Sequence, residues 1–307
     1  MLARIGYYIF IIPLSYLPMW ALYLLTDFFY LLIIAFVPYR KKVIQGNLKR
    51  SFHDLTDKEI KKLRNQFYRH FTDILAEGVK NLTISKRGLS KRMKVTNPEI
   101  MNDLHDQGHS VLLVSGHYNN WEWLISAQNF LFPHQAYGIG MPMTSKFWDK
   151  KVNSRRQRFG MRVIHAKNYK ERLKANPEER KAVLMLSDQS PGDSRKSYWM
   201  NFLNQETAVL FGTELMANEL GYAVVYFATR KVKRGHYEIT LHELTRDAQE
   251  LEWGQITESH AKLLEEEIRR APAYWLWSHK RWKREIPEDL EELKHEQKTR
   301  FNKKYRN

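Results

Sequence analysis

The sequence contains no cysteine. Disulfides, thiolate metal sites and cysteine nucleophiles are excluded together, and the chain suits a reducing compartment. It also lacks G-x-S-x-G, H-E-x-x-H, a Walker A loop and G-x-G-x-x-G. Catalysis through a serine elbow, a zincin helix or a nucleotide-cradling glycine loop therefore has no support. No internal repeat and no low-complexity linker interrupts the chain. Acidic residues are few: 34 Asp and Glu face 50 Lys and Arg, a net charge of +16. An excess that large implies an acidic partner, whether nucleic acid, anionic lipid or acidic protein. The 307 residues suffice for one large domain or two small ones.

One long apolar run is present. Between Ile5 and Val37 the only charge is Asp27. Pro13 and Pro18 interrupt its first part, so a spanning helix would run over 17–37, near the ~20 residues a bilayer needs. Tyr7, Tyr8, Tyr16, Trp20, Tyr30 and Tyr39 suit a membrane interface, and Arg40, Lys41 and Lys42 follow at once, which places the rest of the chain on the cytoplasmic side. The rival is a re-entrant or interfacial hairpin, because the prolines and Asp27 break the run. Residues 1–39 are thus read as a membrane anchor. Residues 40–92 form a basic helical segment. Within it Thr56 and Glu59 make a capping box before an apolar stripe of Ile60, Leu63, Phe67, Phe71 and Ile74. Its other face, Lys61, Lys62, Arg64 and Arg69, is either merely solvated or rests on anionic headgroups.

From residue 93 strands alternate with helices. Strands are expected at 111–115, 135–139, 162–165, 182–187, 223–229 and 236–241. Helices are expected at 119–130, 144–159, 169–175, 212–220 and 257–270, the last capped by Thr257. This order argues for an α/β domain over 93–286, a largely parallel sheet flanked by helices. The tail, 287–307, is charged at helical spacing and is expected to pack weakly or fray.

The stretch 111–123, V-L-L-V-S-G-H-Y-N-N-W-E-W, reads as a buried strand, a tight turn and a helix start. Chemistry in open α/β sheets collects at such strand ends. If Asn119 caps the helix, Glu122 falls at N3, and His117 in the turn can take a proton while Glu122 orients its ring. The plainer alternative makes Glu122 a capping acid and His117 a turn residue. Arg155, Arg156 and Arg158 end a helix, where they either bind an oxyanion or compensate the helix dipole. Asp188 closes another strand and could orient His117, bind a substrate hydroxyl or make an Asx-turn. The segment 274–283, Y-W-L-W-S-H-K-R-W-K, could stack on nucleic-acid bases, face lipid headgroups, close an active site or form a short core strand with a basic exit.

These landmarks together resemble one known family. S-G-H-Y-N-N-W-E at 115–122, the arginines at 155–158, Asp188-Gln189 and W-L-W-S-H-K-R-W-K at 275–283 are similar, in the same order, to the late acyltransferases of lipid A biosynthesis. The resemblance implies a glycerolipid-acyltransferase-like fold with an N-terminal anchor on the cytoplasmic face of the inner membrane. It implies transfer of an acyl chain from an acyl carrier protein or CoA thioester to a hydroxyl of an anionic glycolipid. No bound cofactor, metal or nucleic acid would be needed. His117 would be the general base and Glu122 its charge partner. Arg156 and Arg158 would stabilise the thioester oxyanion or bind phosphate, and Asp188 and Asn120 would position substrate. The chain departs from the family at Ser190-Pro191-Gly192, after the D-Q turn, and at Asn201-Phe202-Leu203-Asn204. These are segments that would line the acyl channel or acceptor site. Two alternatives remain: an acyltransferase of an aminolipid, mannoside or lysolipid, and a non-catalytic protein that binds anionic lipid or nucleic acid.

Overall fold

A computed structural model describes residues 2–36 and 39–306. Met1, Val37, Pro38 and Asn307, which belong to the expected anchor and tail, lie outside them. Nine strands are described: β1 (Met93–Val95), β2 (Val111–Ser115), β3 (Gln135–Gly140), β4 (Arg162–His165), β5 (Lys181–Leu186), β6 (Tyr198–Phe202), β7 (Gln205–Val209), β8 (Ala223–Lys233) and β9 (His236–Thr245). Seven form one sheet in the order β1-β9-β8-β2-β5-β3-β4, parallel except for the β8–β9 hairpin. β2 lies in the middle, buried along its whole length. Its side chains alternate between two cores, as strand periodicity requires. Val111 and Leu113 face one side with Trp123, while Leu112 and Val114 face the other with Leu264 and Ile268. All six strands foreseen in the sequence are present, within a few residues.

β1 and the β6–β7 hairpin were not foreseen. β1 has only three residues, too few for a periodic signal. The hairpin turns at Leu203 and Asn204, both at positive φ (51° and 64°). Such turns normally announce themselves as Asn-Gly. Here a buried Leu203 occupies the first position, its N–H held 2.9 Å from Glu265. The departure at 201–204 is therefore this hairpin.

The capping box at Thr56 and Glu59 forms as expected, and starts a helix that runs over Asp57–Lys80. Another capping expectation fails. Gly254, not Thr257, precedes the helix Gln255–Arg270, and the Thr257 hydroxyl instead donates to buried Glu214. The tail does not fray. It forms the helix Leu290–Tyr305, which buries Leu293 and Phe301, and Arg306 beyond it donates to the carbonyls of Ala248 and Leu251. Two apolar side chains eight residues apart were too sparse to read as a stripe.

The N-terminal run is broken as its prolines require. Its longest helix is Met19–Ala35, 17 residues. Among the described residues no helix is long and apolar enough to cross a membrane, which corrects the expected spanning segment. The helix instead lies against Asp57–Lys80, burying Met19, Leu22, Tyr23 and Thr26. Asp27 pairs with Arg69 (2.6 Å) and with Arg234. The opposite face stays bare: Trp20, Leu24, Phe28 and Phe29 are each more than half exposed.

Glu77 fixes this packing. Its fully buried carboxylate accepts from Tyr23 (2.7 Å), Tyr237 (2.8 Å) and the Asn120 amide. Burial raises its pKa, against the opposing pull of these donors. Glu77→Ala leaves three buried donors without an acceptor, at a cost of about 1–3 kcal/mol each. We expect urea denaturation of the variant to show a loss of at least about 3 kcal/mol.

Candidate active site

In-register pairing of two parallel strands builds the site. Ser115 of β2 lies opposite Leu186 of β5. Two residues beyond each come His117 and Asp188, so the register itself brings them together. The Asp188 carboxylate accepts from His117 Nδ1 (2.6 Å), from the His117 backbone N–H (2.9 Å) and from Trp275 Nε1 (2.8 Å). Gly116 makes the approach possible. A Cβ there would stand 2.6 Å from a Leu264 methyl and 3.0 Å from the Asp188 carboxyl carbon. Burial pushes the Asp188 carboxyl up, but the facing imidazole and these donors outweigh it and hold the carboxyl at about 2. Below its ordinary 3.8, the charged form is favoured by folding. That stabilisation is present above about pH 4 and is lost as the pH falls through about 2.

With Nδ1–H given to Asp188, Nε2 carries the lone pair, which accepts from the Gln189 side-chain amide. His117 lines a cavity of about 410 Å3, whose other polar residues are Gln189, Arg156, Asn153 and Asp149. The remaining wall is mostly apolar, including Ile125, Ile139, Met161, Val163, Leu184 and Leu186. Gln189 lies 3.3 Å from Nε2. Trp121 packs edge-on to the imidazole at 5.0 Å. The arrangement supplies a ring held in one tautomer, a base at the cavity mouth and a channel suited to an alkyl chain.

The local pairing of His117 with Glu122 does not form. Asn120 caps the helix Trp121–Leu131 through its side chain, 2.9 Å from the Trp123 N–H. Asn119 instead takes a left-handed conformation and donates to the carbonyls of Tyr274 (3.0 Å, from its backbone) and Thr229. Glu122 therefore sits at the second helical position, and its carboxylate binds Arg155 and Arg156, the latter at 2.5 Å. Burial would raise its pKa, yet the two guanidiniums lower it below the usual value. Two cations share this one anion, and of the two Arg156 lines the cavity, together with the carboxylate of Asp149. Arg158 points elsewhere. It donates to the Asn81 carbonyl (3.0 Å) and to that of Leu82, and lies over the Phe159 ring. Asn120 does not line the cavity; it caps the helix and reaches Glu77.

Of the six residues singled out in the sequence, the structure brings His117 and Arg156 to one cavity, with Asp188 buried behind the imidazole. Glu122 stands behind the arginine. Asn120 and Arg158 serve the frame. Trp275 and Arg155 enter as partners that sequence reasoning had not assigned. The one available signal for Asp188 was its position just past an apolar strand. The 274–283 segment is no strand. Trp275 and Trp277 are buried, and Tyr118 makes an isolated antiparallel bridge with Trp275.

Comparison with known proteins points to one family. The family model described as bacterial lipid A biosynthesis acyltransferase matches residues 3–284. A protein of Haemophilus influenzae named lipid A biosynthesis acyltransferase is 25% identical, over 90% of this chain and 92% of its own length. The lipid A biosynthesis lauroyltransferase of Escherichia coli is 22% identical, over 82% of each.

Two substitutions separate the roles. Asp188→Asn keeps the shape but removes the charge that orients His117, and should lower kcat by roughly 10^2–10^4-fold. It should also flatten the dependence of stability on pH between about 4 and 2. Glu122→Gln should lower kcat/KM by roughly 10-fold or more through the arginines, leaving the shape of the pH–rate profile unchanged. A profile altered equally by both would return Glu122 to the imidazole.

Proposed function

Because the chain belongs to the bacterial lipid A biosynthesis acyltransferases, we propose that it moves a fatty acyl chain from an acyl carrier protein thioester to a hydroxyl of a lipid A precursor. His117 Nε2 removes the hydroxyl proton. The oxygen attacks the thioester carbonyl, a C–O bond forms, and the oxyanion is met by Arg156. The C–S bond then breaks and the imidazolium returns the proton to the leaving thiolate. Asp188 holds the ring and stabilises its charged form throughout. Transfer is direct, with no acyl-enzyme. The observation that carries this reading is an Asp-held histidine lining an alkyl-sized cavity with a guanidinium in its wall.

The acyl chain would lie in that cavity, where β3 offers Gly138 and Gly140 in place of side chains. The net charge of +16 suits an acidic carrier and a phosphorylated acceptor, raising encounter rates in a salt-dependent way. The bare apolar face of Met19–Ala35 suits partial burial in the lipid interface, on the cytoplasmic leaflet of the inner membrane. Another lipid acceptor, or a CoA donor, would use the same machinery.

The test is a transfer assay in detergent with labelled acyl carrier protein and acyl-CoA, and a tetra-acylated lipid A precursor as acceptor. Transfer from the carrier protein is expected, reduced roughly 10^2–10^4-fold in His117→Ala with the fold intact. Transfer that survives in His117→Ala would remove the assigned base. A strong preference for acyl-CoA would replace the donor.

A further inference from the structure

A second cavity is larger than the one at His117. A cleft of about 740 Å3 opens between the helix Asp57–Lys80, β8 and the 271–274 turn. Five cations line it, Lys58, Lys61, Lys62, Arg69 and Lys231, against one carboxylate, Asp73. That carboxylate is already occupied. It binds Lys231 at 3.0 Å and Arg234 at 2.6 Å. Arg69 is held by Asp27. Lys58, Lys61 and Lys62 are exposed and have no ion-pair partner among the described residues. At the inner wall His70 is buried, and its Nε2 has no hydrogen-bond partner. Burial keeps this imidazole well below its ordinary pKa, so it adds no charge but leaves a polar atom unmatched.

The position of the cleft matters as much as its charge. Tyr30, on the helix Met19–Ala35, lines the same cleft. The faces of that helix left bare carry Leu24, Phe28, Phe29 and Leu31. A polar, cation-lined hollow thus stands next to an exposed hydrocarbon surface. A soluble anion would have no use for that neighbour, whereas a molecule with a phosphate at one end and alkyl chains at the other fits both.

We propose that this cleft binds the phosphate headgroup of an anionic phospholipid, with the acyl chains against the Met19–Ala35 helix. The proposal rests on the reading that the chain works at a lipid surface. It adds a specific headgroup site, separate from the cavity at His117. Docking there would hold the body of the protein at a fixed height and rotation over the bilayer, which an apolar helix alone does not specify.

The test uses full-length protein and sedimentation with vesicles of phosphatidylcholine, alone or mixed with phosphatidylglycerol. The triple variant Lys58→Gln, Lys61→Gln, Lys62→Gln should lose roughly ten-fold or more of the affinity gained from the anionic lipid, and nothing on neutral vesicles. A control triple, Lys298→Gln, Lys303→Gln, Lys304→Gln, removes the same charge from the C-terminal helix and should leave the gain intact. Equal losses in both triples would show diffuse attraction and overturn the site. Inorganic phosphate, titrated alone by calorimetry, separates the sources. Saturable phosphate binding without any gain from anionic vesicles would make the ligand a free anion and overturn the lipid assignment. An unchanged vesicle affinity with weakened binding of acyl carrier protein would give the cleft to the donor, and overturn it too. If wild type ignores neutral vesicles but keeps the anionic gain, the headgroup site stands and the apolar-face reading falls.

Discussion

The N-terminal helix, β9 and the cap of the helix after His117 are tied together by one buried carboxylate, that of Glu77. It draws a hydroxyl from the N-terminal helix, a hydroxyl from β9 and the amide of Asn120 to one point. Asn120 in turn caps the helix that follows His117. A buried acid is costly unless its oxygens are matched, and here neutral donors match them. The N-terminal apolar segment is therefore not an appendage. Through Tyr23 it belongs to the same hydrogen-bond group as the cap of the catalytic helix.

The catalytic pair has a different origin. Two parallel strands in register deliver His117 and Asp188 to the same level, and a glycine lets them close. Because side chains in a strand alternate, a slip of one residue would aim the partner away from the ring. The arginines obey a third constraint. Glu122, near the start of its helix, collects two guanidiniums and so fixes Arg156 at the cavity wall.

This division explains what could be seen in the sequence. The strand 111–115 and the turn after it were legible because four apolar residues end abruptly at Ser-Gly-His. The other long strands and most helices announced themselves by the same periodicity. The partner of His117 was harder. Glu122 is close in sequence, so local geometry favoured it, whereas Asp188 becomes its neighbour only through a register between strands 71 residues apart. Asp188 was weighed as an orienter, but nothing local distinguished that role from an Asx-turn. The β6–β7 hairpin was hidden because Leu203 occupies a backbone conformation usually given to glycine or asparagine. The spanning helix was over-read. Its hydrophobicity is real, but part of it covers Asp57–Lys80 rather than lipid tails.

The separations of the site's contacts also set an order of assembly. Tyr23 meets Glu77 across 54 residues, within the first quarter of the chain. Asp188 needs His117 71 residues before it and Trp275 87 residues after it. Closing long loops is entropically costly, and a chain leaving the ribosome offers its N-terminal contacts first. The apolar helix can thus meet Glu77 before Trp275, the last partner of Asp188, has been synthesised. In a nascent chain the Tyr23–Glu77 contact is the first available, and the carboxylate gains Asn120 and then Tyr237 only as the sheet is built around it.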